Sequence, residues 1–193
     1  AGFDKDHLAA FDTQAVAGFK KDQVAAFDKT ALAGLKKDQV AAFDPTAMAG
    51  FGKDHLAAFD PTVMSGLGKE QVAGFDPTAI AGLGKDHLKS IDKEAIAGFN
   101  ADHVSALDTA AIGGLEKDQF AAFDPTAMAG FKADQIEVID SSYMASLGKD
   151  HVAAFDPTAV AGFDKDHLAA FDTEAVAGFK KEQVAGFDPT AVT

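Results

Sequence analysis

The sequence predicts an all-α solenoid: a superhelical coil of 24 octads, each one short capped helix, alternating in two types. Three observations carry that prediction. Cut from Ala1, the 193 residues form 24 octads plus Thr193, with no insertion or deletion. Position three is Phe, Leu or Ile in all 24, and position eight is Val, Leu, Ile, Met or Phe in all 24. A helix-start signature recurs every eight residues, and a pair of small residues stands before almost every position three. One short unit stacked on copies of itself is the mark of a repeat solenoid.

Each element follows from its residues. Odd octads read A-G-F-x-K-D-[HQ]-L, as in 1–8 and 17–24, and even octads read A-[AG]-F-D-[PTK]-T-A-V, as in 41–48 and 185–192. The true repeat is therefore a pair of unlike octads. All 12 even octads carry Asp at position four, from Asp12 to Asp188, and in six of them Pro follows (Pro45, Pro61, Pro77, Pro125, Pro157 and Pro189). Such an Asp accepts first-turn N–H bonds, and Pro at the first helical position removes no intrahelical donor. In odd octads position six is always acidic, which suits a helix N-terminus. Gln or His at position seven can bond back to the cap, as in a capping box.

A helix that starts every eight residues must also stop every eight. A continuous helix would be broken by its prolines. Its apolar face would also drift, because eight residues make about 2.2 turns. Strands fail because the pattern is four apolar then four polar residues, built largely from Ala, Asp, Lys and Gly. Helices this short need stacking to persist. Gly and Ala both occupy position two, which argues for close backbone approach at a corner and against an obligatory left-handed cap. Phe at position three and Val or Leu at position eight then face inward, with Lys and Asp outward. Four octads per circuit would give a squared coil of about six circuits, roughly 55–65 Å long at about 10 Å per layer. A zigzag with two octads per layer would be nearly twice as long, and the sequence leaves both open.

Composition narrows the function. A 193-residue chain that is 47% hydrophobic can bury a core. The net charge is −13, and all 17 basic residues are Lys. An acidic chain without Arg lacks the means to neutralise phosphates or read guanine edges, so nucleic acid is excluded as an expected partner. No Cys is present, so disulfides and thiolate metal sites are ruled out. Apolar runs such as LAAF at 8–11 fall far short of the roughly 20 residues that span a bilayer. Residues 1–193 read as a single repeat domain, and neither end has an atypical capping repeat, so the chain reads as an excerpt of a longer array.

Little of the sequence suggests chemistry. The Asp-His pairs (Asp6-His7, Asp54-His55, Asp86-His87, Asp102-His103, Asp150-His151 and Asp166-His167) invite a metal or general-base reading. The same slot holds Gln in the other six odd octads, a swap that fits a cap and not a required ligand. The Asp ladder suggests calcium, which needs six or more oxygens, but helix capping already occupies those carboxylates. No Ser-His-Asp, Cys-His or phosphate-loop constellation occurs, so the expectation is a non-enzyme without a cofactor. Thr30, Thr46, Thr62, Thr78, Thr126, Thr158 and Thr190 form a regular file that on a flat face would resemble an ice-binding array. Departures from consensus single out Lys89-Ser90, Glu137-Val138 and Asp140-Ser141-Ser142-Tyr143. Tyr143 is the chain's one Tyr; with Lys89 and Glu137 it is a candidate partner contact.

The segments 20–27 (KKDQVAAF), 52–59 (GKDHLAAF) and 44–51 (DPTAMAGF) resemble the octapeptide arrays of large bacterial secreted and surface proteins. Those arrays carry a polar cap, a Gln and then V-A-A-L; this chain uses Phe where Leu is usual and Asp or Lys where Thr is usual. The resemblance implies an extended, non-catalytic segment of an extracellular or cell-surface protein, and it supplies no site residues. The expected function is a structural spacer or stalk whose partners are its own neighbouring repeats, without membrane insertion. A binding module that uses one face for a protein, a glycan or calcium is the alternative. A designed or consensus-derived scaffold is the third reading.

Overall fold

The computed structural model describes residues 2–193, and among them every regular element is a helix of four to six residues. Odd octads form α-helices such as Lys37–Ala42, Lys53–Ala58 and Lys149–Ala154. Even octads form single α-turns such as Thr13–Val16 and Lys93–Ile96, or 3-10 segments such as Pro45–Gly50, Pro61–Gly66 and Pro125–Gly130. All four methionines stand at position eight of their octads, within 3-10 segments (Met48, Met64, Met128 and Met144). A flexible, unbranched side chain suits the space beside a thinner helix.

Most helices end as the N–H of the next position three returns to the carbonyl of position eight, as in Phe43 to Val40 and Phe51 to Met48. Two extended residues follow, Phe43 and Asp44 or Phe51 and Gly52, and they make the corner. No described residue has positive φ. The small pair therefore serves close approach, as its mixture of Gly and Ala implied. A Cβ on Gly34, Gly50, Gly82 or Gly130 would overlap the carbonyl of Lys5, Lys21, Lys53 or Ala101, each in the preceding circuit. Position two of the odd octads is Gly in all but Ser146, a regularity tied to this contact.

The spacing of these contacts measures the coil. Helices pack against helices three octads on, for example Lys21–Ala25 against Pro45–Gly50 and Ala101–Ala106 against Pro125–Gly130. Gln71 reaches carbonyls whose sequence separations are 31 and 28. Lys21 acts electrostatically on Asp76, and Lys69 on Asp124, two circuits further on. A circuit thus takes three and a half octads, giving about seven circuits where a four-octad square predicted six, and the two-octad zigzag is ruled out. The half octad staggers successive layers, so that each corner lies over a helix below, like bricks in running bond. Helix packing at three octads, an odd number, sets every helix against helices of the other type. The alternation of octads is thus required by the packing.

The core runs along the axis. Position eight is fully buried in the interior circuits (Val40, Leu56, Val72, Leu88, Val104 and onward), and position three closes around it. Phe rings meet edge to face along the chain, as Phe43 does with Phe51 at 5.3 Å. They also meet between layers, as Phe99 does with Phe123, tilted, at 5.9 Å. At the two ends the same positions are open: Phe3, Val176, Val184 and Val192 are exposed.

Candidate functional site

Position seven of the odd octads is the first candidate for chemistry, and its geometry is the most repeated in the molecule. Gln71 accepts the N–H of its own cap residue, Gly68, at 2.9 Å through Oε1. Its Nε2 donates both hydrogens to the preceding circuit, to Val40 O at 2.9 Å and Phe43 O at 2.8 Å. Gln39, Gln119, Gln135 and Gln183 repeat the pattern and, like Gln71, are buried. The sequence shows the local half of this, the capping box. It hides the other half, because the acceptors lie a full circuit away.

Histidine does the same work with one bond fewer. His55 and His87 accept the N–H of Gly52 and Gly84 at Nδ1, while Nε2 faces Phe27 O and Phe59 O. A backbone donor at Nδ1 and a carbonyl at Nε2 together require the neutral tautomer with its proton on Nε2. His103 keeps this arrangement under an Asn100 cap. His7 and His167 differ in that Nδ1 also lies 2.7 Å from the cap carboxylate, Asp4 or Asp164. Both carboxyls are held below the usual Asp value, mainly by the backbone N–H of that His.

The Asp ladder of the even octads is engaged locally. Asp44 accepts the N–H and the hydroxyl of Thr46, at 2.8 and 2.6 Å. Asp60, Asp76, Asp124, Asp156 and Asp188 repeat this with their own Thr. The Thr hydroxyl first, and the backbone N–H second, hold these carboxyls below the usual range. Asp12 and Asp108 cap one residue further on, and Asp92 makes no cap bond. The Thr residues recur every two octads against a circuit of three and a half, so successive Thr side chains turn by more than half a circuit. They wind around the coil and form no flat array. Among the described residues, no three His, Asp or Glu side chains converge as a metal site would need.

The consensus departures partly come together. The Lys89 ammonium stands 3.6 Å from Glu116, and the Tyr143 hydroxyl donates to the carbonyl of the adjoining Leu115 at 3.3 Å. Lys89 and Tyr143 thus flank residues 115–116 on one face, from the circuits before and after. Tyr143 is half-buried against Phe120; it stands at position seven of an even octad, where the other even octads have Ala or Val, and its phenol reaches a position-three carbonyl 28 residues back, as Gln71 does from an odd octad. Burial first, then the nearby Asp140 and Glu116, pushes its hydroxyl pKa upward. A shallow cleft of about 340 Å³ lies beside it, lined by Gly113, Leu115, Val138 and Ile139 among others. Glu137 is exposed around the corner and lines a different cleft, with Gly162, Phe163 and Lys165.

A scan against protein-family models and a comparison with curated proteins each found no match.

Proposed function

We propose that this chain is a non-catalytic structural segment, a spacer or stalk of a bacterial extracellular or cell-surface protein. The observation that carries this reading is the repeated use of its polar side chains on its own backbone. Buried Gln and His join one circuit to the next, while Asp and Thr close helix starts. Its acidic exterior keeps neighbouring rods apart and soluble. Length is then the property the protein supplies, and it scales with the number of octads. Solution X-ray scattering on chains with one, two and three inserted octad pairs tests this. Each pair is expected to add about 6 Å, at about 10 Å per layer. A maximum dimension that does not grow with added pairs overturns the reading.

A second reading, a binding module, is favoured by one observation: Lys89 and Tyr143, which depart from consensus, flank Leu115 and Glu116 on a single face. Its ligand would be a protein or a glycan, or calcium. Replacing Tyr143 and Lys89 together by Ala should abolish such binding and leave the helical signal intact. Calcium is tested by titration, which must raise the melting temperature if the ion binds the folded chain.

A further inference from the structure

We propose that the coil carries a yielding seam, where residues 84–107 rest on the circuit before them, and that it opens there ahead of the circuits on either side. Opening one seam lengthens a coil and lets it bend while its neighbours stay folded. The stability of a solenoid is a sum of unit and interface terms, so a weak interface yields locally. Helices pack across this seam as they do elsewhere, Lys85–Ser90 on Pro61–Gly66 and Ala101–Ala106 on Pro77–Ile80. The difference lies in the side chains that tie it. Between Gln71 and Gln119, His87 and His103 are the only side chains among the described residues that hydrogen-bond to the preceding circuit. Each does so once, through Nε2 to Phe59 O or Phe75 O at 2.9 Å. A Gln at either place would also reach Leu56 O or Val72 O, 31 residues back, as Gln71 reaches Val40 O. The cap bond is the same for both residue types, at Gly68 under Gln71 and at Gly84 under His87. The choice between Gln and His at position seven is therefore a choice of seam strength that leaves the helix start intact.

The seams on either side are tied more heavily. Residues 116–143 hold the circuit beneath them through Gln119, Lys132, Gln135 and Tyr143, and through the Lys89–Glu116 ion pair. Residues 36–75 do so through Lys36, Gln39, His55 and Gln71, and through the Lys29–Asp54 pair. The rings follow the same division. Phe43 meets Phe19, Phe75 meets Phe51 and Phe123 meets Phe99 across those seams. In the yielding stretch position three holds Ile91, Phe99 and Leu107, and among the described residues no ring pair joins it to the preceding circuit. His151 and His167 are a second run of single links. There, however, Phe155 meets Phe131 and the Asp164 carboxylate lies against His167.

Amide hydrogen exchange of the 193-residue chain, followed residue by residue near neutral pH, tests this. Each missing neutral bond shifts the opening equilibrium by about two- to tenfold. After correction for intrinsic rates, the amides of residues 84–107 are therefore expected to exchange about tenfold faster than those of residues 116–139. His87→Gln together with His103→Gln is expected to slow residues 84–107 by about tenfold, to leave 116–139 unchanged and to keep the helical signal. Gln119→His together with Gln135→His is expected to do the converse and speed exchange in 116–139. A wild-type chain whose exchange is uniform from residue 36 to residue 139, or slowest within 84–107, overturns the proposal. So does a folded His-to-Gln pair whose exchange in 84–107 matches the wild type. Either failure leaves the spacer reading standing, because that reading concerns length and not the place where the coil opens.

Discussion

At the scale of single residues, the side chains that look most reactive are the ones most fully committed to the backbone. Gln119 accepts the N–H of Glu116 and donates to Leu88 O and Ile91 O from a buried position. Gln119→Ala leaves two buried carbonyls without donors and is expected to cost about 2–3 kcal/mol in chemical denaturation. Gln119→His should cost less, because imidazole restores the cap bond and one of the two donations, as at His103. Phe99, buried and packed against Phe123 and His103, fills the axis near the middle of the chain. Phe99→Ala is expected to lose about 3–5 kcal/mol, and a loss under about 1 kcal/mol would remove position three from the core. The cap carboxylates set the acid limit. Their values in the folded chain lie below the ordinary 3.8, so their stabilisation is intact above that pH and is lost as pH falls through the lower folded values. Acid titration followed by circular dichroism should therefore show a transition that begins below about pH 4. Asp44→Asn and Asp60→Asn should flatten it.

At the scale of elements, the two octad types are mutually dependent. An odd helix such as Lys37–Ala42 lies against an even one, Pro61–Gly66, whose Gly66 sits on the carbonyl of Lys37. Deleting residues 49–64 removes one octad of each type and keeps unlike helices in contact. Deleting only 57–64 sets like against like in three helix pairs around the junction. The shorter deletion is therefore expected to lower the melting temperature more than the longer one, an order opposite to what chain length alone would give. This is also where legibility in the sequence divides. Asp-Pro starts, Gln and His caps and the small pair are local signals, three or four residues wide, and the structure contains them as read. The circuit is not local. It depends on how far two extended residues such as Phe43 and Asp44 turn the chain, and no residue type encodes that angle. The sequence suggests a square of four octads, and the half-octad stagger corrects it. The donor half of Gln71 and the tether of Tyr143 to Leu115 are hidden for the same reason, since each partner lies a full circuit away. The near-invariant Gly of the odd octads is one long-range signal in plain view, once type and position are counted together.

At the scale of the molecule, the chain is a continuous coil whose circuit takes three and a half octads. Equivalent positions then return to the same face every seven octads, after two circuits, and not every eight as a four-octad square requires. Lys29, Lys85 and Lys93 are exposed and share position five, and the last two stand seven and eight octads beyond Lys29. The chain has no Cys, so labels at introduced cysteines report only on the chosen pair. Pulsed spin-label distances for Lys29→Cys with Lys85→Cys, and for Lys29→Cys with Lys93→Cys, measure the circuit directly. The first pair is expected to lie about 20 Å apart along one face, at about 10 Å per layer, and the second pair farther because it turns around the coil. The reverse order, with the eight-octad pair the closer, would contradict the three-and-a-half-octad coil.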